Sequence, residues 1–183
     1  RLISGLVLEK RLPLERMPRK LSSCKISVLS CPLELESSSV SAEIEISTPE
    51  QYEAFIDAEQ NQIDAIASKA IASGAKAIFS AGSIDQRILH NLADAGVFAL
   101  GGIEISMAED IAKSCGAILC DHLDDISGCL GEIESLLHER LEGAEGVRER
   151  LIIEIGPSAG IVTILVGGTD GVATEETIRG LYD

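Results

Sequence analysis

Apolar and polar positions alternate in two different rhythms along this chain, and the change of rhythm divides it. Leu6 to Leu8 and Lys25 to Leu29 are short apolar runs of strand length, punctuated by Pro18 and Pro32, which lack a ladder donor. Val40, Ala42, Ile44 and Ile46 then fall at every second position with Ser and Glu between them, which predicts an extended ribbon with one wet face. At Thr48 the period lengthens. Thr48-Pro49-Glu50-Gln51 combines an N-cap residue, Pro at the first helical position and Gln where a capping box places it. Tyr52, Phe55, Ile56, Ile63, Ile66, Ala70 and Ile71 follow at helical spacing, and Gly74 supplies the stop. The pattern predicts a helix over Pro49 to Ser73, about 37 Å long at 1.5 Å per residue. So long a helix must either lie across the whole body or project beyond it.

After Gly74, strand and helix alternate. Ala77 to Phe79 reads as a strand, Ser83 to Ala95 as a helix ended by Gly96, and Val97 to Leu100 as a strand. Ser106 to Cys115 is a helix ended by Gly116, and Ala117 to Leu119 another strand. Such alternation implies parallel pairing with helices packed on the sheet. Longer β segments follow at Glu134 to Leu141, Leu151 to Ile155 and Ile161 to Val166, separated by glycine-rich stretches at Gly143 to Gly146 and Gly156 to Gly160. Glu175 to Asp183 reads as the start of a helix. The expected fold class is α/β: short parallel strands flanked by helices, additional β segments, and a protruding arm of helix and ribbon.

With 183 residues the chain is long enough for one domain with a full core, or for one domain plus fragments of a second. Aromatics are 3% with no Trp, so that core must be aliphatic. No apolar run approaches the roughly 20 residues of a membrane helix, and the start at Arg1, without Met or a signal-like segment, reads as part of a longer chain. Acids number 30 against 15 bases, a net charge of -15. That argues against a phosphate backbone as partner, because such binding relies on Lys and Arg.

Candidate chemistry is sparse. Cys24, Cys31, Cys115, Cys120 and Cys129 form an odd set without a CxxC pair, which fits free thiols in a reducing compartment. Cys115, Cys120, His122 and Cys129 could be read as zinc ligands, but their spacing lacks the tight pairs of structural zinc sites, and buried or idle thiols are the favoured reading. Asp124-Asp125 could hold a divalent metal through oxygen, or simply cap a turn. Gly167-Gly168 follows a strand and precedes a helix but lacks the Lys of a phosphate loop. It supports a rival reading, a small-molecule- or nucleotide-binding α/β enzyme domain. No G-x-S-x-G elbow is present.

A series of short strings, in order, resembles the apical domain of group II chaperonins, the thermosome and eukaryotic cytosolic chaperonin family. Gly5-Leu-Val-Leu-Glu-Lys10, Met17-Pro-Arg-Lys20, Lys25-Ile26 and Cys31-Pro-Leu-Glu34 are similar to the family's G-V-V-L-D-K, M-P-K-R, K-I-A and A-P-L-E. Ala42 to Ile46 through Tyr52, Phe55 and Glu59 is similar to the family's helical protrusion. Ser73-Gly74-Ala75, Ile84-Asp85, Ala95-Gly96-Val97, Cys115-Gly116-Ala117, Leu130-Gly131-Glu132, Val162 to Leu165 and Arg179 to Asp183 continue the match. Departures occur where the family's Arg-Arg-Val is Gly101-Gly102-Ile103 and its Lys-Lys is Glu104-Ile105.

The resemblance implies a division of the chain into residues 1-12 as a hinge strand, 13-166 as an apical domain with its arm at about 36-66, and 167-183 as the return to an intermediate domain. It implies a cytoplasmic chaperone that binds unfolded or partly folded client proteins, with sister subunits of a double ring as partners and neither nucleic acid nor membrane. The expected client contacts are Tyr52, Phe55 and Ile56 on the arm, with Gln86, Arg87, His90 and Asn91 on the polar face of the helix from Ser83 to Ala95. That face can equally be an ordinary wet helix side. ATP and magnesium would bind in a separate equatorial domain of a longer subunit, so no cofactor, no metal and no catalysis by the chain alone are expected. Asp183 aligns with the family's aspartate that orients the attacking water, a role it cannot perform without that domain.

Overall fold

The computed structural model describes residues 1–35, 48–143, 146–157, 160–166 and 178–180. The strands are β1 (Leu2–Ile3), β2 (Gly5–Leu8), β3 (Lys20–Leu29), β4 (Ala77–Ser80), β5 (Phe98–Leu100), β6 (Leu119–Cys120), β7 (Gly131–Gly143), β8 (Gly146–Glu154) and β9 (Thr163–Ile164). The helices are α1 (Pro49–Ala72), α2 (Gln86–Asp94) and α3 (Ile105–Cys115), with a 3-10 turn at Leu123–Gly128. One sheet runs β2-β8-β7-β3-β4-β5, with β6 also on β3, and β1 pairs β9 in a small separate sheet.

The central strand β3 joins two halves of opposite character. Lys20 to Ile26 pair antiparallel with β7, while Ile26 to Leu29 pair parallel with β4. Val28 and Leu29 also pair parallel with β6. Since β4 holds one edge there, β6 takes the edge that β7 leaves at Ile26. The expected parallel α/β unit is therefore present but extends into an antiparallel meander. The β segments read separately at Glu134 to Leu141 and Leu151 to Ile155 form one long hairpin, closed at Gly143 and Gly146. The expected strand at Ile161 to Val166 is confined to Thr163–Ile164, because its partner β1 has only two residues.

Side chains of the parallel strands alternate between two apolar layers, as period-two geometry dictates. Ile26, Val28, Phe79, Phe98 and Leu100 face one layer, where α3 contributes Ala108, Ile111 and Ala112. Leu29, Ile78 and Ala99 face the other, where α1 contributes Ile63, Ala67 and Ala70 and α2 contributes Ile88 and Leu92. The sheet is thus sandwiched, with α3 on one face and α1 and α2 on the other. Gly131 lets β7 pass beneath the end of α3: a Cβ there would lie 2.6 Å from Cys115 Sγ and 2.7 Å from the Cys115 carbonyl oxygen.

The start of α1 follows its sequence signals. The Thr48 side chain accepts the Gln51 amide at 3.3 Å, and Pro49 occupies the first turn. α2 starts later than Ser83. Leu33 N donates to Ser83 O and Asp85 N donates to Leu33 O, both at 2.8 Å, so residues 83 to 85 are held extended against the segment after β3. The cap is Asp85, whose carboxylate accepts the Arg87 amide at 2.7 Å.

Candidate functional site

Every residue from Pro49 to Ala58 is exposed, and the buried residues of α1 are Ile63, Ala67 and Ala70. The second half of the helix is anchored on the sheet; the first half carries Tyr52, Phe55 and Ile56 into solvent, each 43–54% exposed. These three are not scattered. Tyr52, Ile56, Glu59 and Ile63 follow one another at spacings of three and four, and Phe55 is one turn before Glu59, so all share a side of the helix. That side is the one that meets the sheet at Ile63. An apolar stripe aimed at the body therefore continues past it.

α2 meets the stripe where it leaves the body. Arg87 Nη2 donates to Glu59 Oε1 at 3.3 Å and to Asp85 Oδ2 at 3.0 Å. Asn91 Nδ2 donates to Asp64 Oδ1 at 2.9 Å, an atom that also accepts Gln60 Nε2 at 2.9 Å. His90 is in contact with Arg16, which also pairs with Asp94 at 2.9 Å. Gln86 is exposed at the helix start. The hydrogen bond from Arg87 is the main reason the Asp85 carboxyl is held below its ordinary pKa, and burial partly opposes it.

The structure thus brings Arg87 to the foot of the Tyr52, Phe55 and Ile56 stripe, with Gln86 exposed next to it in sequence at the start of α2. Asn91 and His90 lie further along α2 and are engaged by α1 and by the loop before β3. Glu59, Asp64 and Arg16 belong to this surface and were missed from sequence; their signal was only the charge opposite Arg87, Asn91 and His90, readable once the two helices are known to touch. Asp183, the Gly167-Gly168 loop and the ribbon at Val40 to Ile46 lie outside the described residues.

The candidate zinc ligands separate. Cys115 packs into the layer beneath α3, while Cys120 and Cys129 belong to the opposite layer. Among the described residues no three His, Cys, Asp or Glu side chains are grouped so as to hold a metal ion. Asp124 is instead paired with Lys69 of α1 at 2.6 Å, which lowers its pKa. No helix among the described residues is long and apolar enough to cross a membrane.

A sequence model of the TCP-1/cpn60 chaperonin family matches residues 1–183. The chain belongs to that family. Among its relatives, the thermosome subunit beta of Methanothermobacter thermautotrophicus is 32% identical over 183 residues. The thermosome subunit beta of Archaeoglobus fulgidus is 36% identical over 187. Both alignments cover 100% of this chain and 33% of the relative, so the chaperonin chain spans about a third of their length. An open-state monomer of a group II chaperonin from Methanococcoides burtonii shares the fold with a TM-score of 0.73 at 24% identity, covering 100% of this chain and 38% of that one. The thermosome relatives place the chain in the group II branch.

Proposed function

We propose that this chain is the apical domain of an ATP-dependent group II chaperonin, the part that binds unfolded client protein and supplies the built-in lid. The observation that carries this reading is the exposed stripe of Tyr52, Phe55 and Ile56, on a capped helix whose second half alone is anchored. A contiguous exposed apolar surface marks a binding site. Arg87 at its foot, with Gln86 next to it in sequence, adds polar contacts suited to clients that expose both kinds of group.

On this reading residues 1-12 and 167-183 lead from and into an intermediate domain, residues 13-166 form the apical domain, and the arm spans about 36-66. ATP and magnesium bind outside this chain in an equatorial domain, sister subunits complete a double ring, and the assembly works in the cytoplasm. ATP turnover there would move this domain as a rigid body and bring the arms together, a hinge transition between two states. Asp183 would serve that turnover by orienting the attacking water.

The test is whether the chain, at micromolar concentration and without nucleotide, suppresses aggregation of a chemically denatured protein. Suppression that weakens several-fold in Phe55→Asp supports the reading. A folded chain that leaves aggregation unchanged at client stoichiometry overturns client binding by this surface.

A further inference from the structure

Three of the five cysteines meet on the sheet face that carries α1. Cys120 ends β6, paired with β3 at Leu29, and Cys31 lies just beyond Leu29. Cys129 follows the 3-10 turn, and its carbonyl accepts Ile118 N at 3.3 Å, so the chain leaving the turn returns beside the start of β6. All three pack in one apolar cluster. Cys129 is a close neighbour of the Cys120 thiol, whose Sγ donates to the His122 carbonyl at 2.8 Å. Cys120 is buried, Cys129 is half-buried, and every cysteine is a free thiol. The remaining two, Cys24 and Cys115, belong to the opposite layer.

We propose that Cys120 and Cys129 are a modification site: a dithiol that a low-molecular-weight disulfide such as glutathione disulfide converts to an internal disulfide, stapling together the two ends of the turn that anchors α1. Cys129, the more accessible thiol, attacks as thiolate on one sulfur of glutathione disulfide. That S–S bond breaks, one glutathione thiolate leaves, and a mixed disulfide remains on Cys129. Cys120 then gives its proton to solvent and attacks the Cys129 sulfur, forming the internal bond and releasing the second glutathione thiolate. Two protein thiols lose two electrons and two protons; the small disulfide gains both and becomes two thiols.

The order of attack follows from the surroundings. Burial, with the neighbouring Cys129 adding to it, pushes the Cys120 thiol up to about 11, so it is a poor first nucleophile. As second nucleophile it needs no encounter, because the Cys129 sulfur is already its neighbour. The turn so closed is attached to the arm helix: Asp124 pairs with Lys69, and Ile126 packs in the same cluster as Ile63. Oxidation therefore restrains the base of α1. This inference does not depend on the client-binding reading, and either can fail alone.

The experiment incubates the protein with glutathione disulfide, quenches with an alkylating agent, and maps peptides without reduction. Cleavage before aspartate cuts at Asp121, Asp124 and Asp125 and puts Cys120 and Cys129 on different peptides, while tandem fragmentation separates Cys120 from Cys115. The expected result is loss of two of the five alkylatable thiols, a peptide pair joined through Cys120 and Cys129, and full recovery with dithiothreitol. Cys120→Ala should retain one glutathione on Cys129, and Cys129→Ser should form no internal disulfide. If Cys120→Ala fails to fold, the wild-type map and Cys129→Ser decide. A cross-link through Cys31, glutathione held unresolved on wild-type Cys129, or retention of all five thiols would overturn the proposal.

Discussion

Asp85 caps α2 and holds Arg87 with the same carboxylate, and the pairing with Arg87 needs it ionised. Replacing it with Ala should cost about 1 kcal/mol of stability, the usual loss for an N-cap, read as a lower urea midpoint. Asp85→Asn keeps a capping oxygen and removes only the charge, so it isolates the pairing with Arg87. The native Asp85 pKa is depressed, so the charge contributes fully above the unfolded carboxyl value of about 3.9 and is lost as pH falls through the lower native value. The stability gap between wild type and Asp85→Asn should therefore close as pH is lowered through that window. A gap that persisted below it would assign the effect to something other than the charge. Gly131 makes a simpler prediction. Any Cβ there meets Cys115 and Ala117 under 3 Å, so Gly131→Ala should destabilise by about 1–3 kcal/mol, seen as a lower melting temperature.

α1 was the most legible element, because Thr48, Pro49 and Gln51 state its start locally and Gly74 states its stop. Its division into an anchored and an exposed half was legible only as an alternative, since helical spacing alone does not say whether Tyr52, Phe55 and Ile56 meet a core. The structure resolves this through Ile63, which is fully buried, and the unbroken exposure from Pro49 to Ala58. The two halves should respond oppositely to truncation. Ile63→Ala should cost about 2–5 kcal/mol, as buried aliphatic truncations do, whereas Phe55→Ser should change stability by less than about 0.5 kcal/mol. Denaturant titration of both variants checks this; a large loss from Phe55→Ser would mean the ring packs against something. The cap of α2 was misplaced by two residues, at Ser83 instead of Asp85, for a long-range reason: Leu33 holds residues 83 to 85 extended, and nothing near Ser83 announces it.

Across the molecule, the alternation of strand and helix predicted the parallel half of the sheet and helices packed on it; which face each helix takes, α3 on one and α1 and α2 on the other, came from the structure. It could not predict that β3 would change partners at Ile26, since strand pairing is a property of two segments distant in sequence. The long hairpin of β7 and β8 was hidden by Glu and Arg residues that interrupt its apolar pattern; Glu139 and Arg150 are cross-strand partners bonded at 2.6 Å. Of the candidate surface, Tyr52, Phe55, Ile56, Gln86, Arg87, His90 and Asn91 could be named from the sequence but Glu59, Asp64 and Arg16 could not, because the meeting of Arg87 with Glu59 and of Asn91 with Asp64 exists only once α1 lies beside α2. The claim that joins these parts is that client protein lands on the stripe and the start of α2. A photo-crosslinking side chain placed at Phe55, at Gln86 and, as a control on the opposite sheet face, at Glu109 tests it most directly with a denatured client. We expect strong client adducts at positions 55 and 86 and few at 109. Equal adducts at all three, or adducts concentrated at 109, would contradict it.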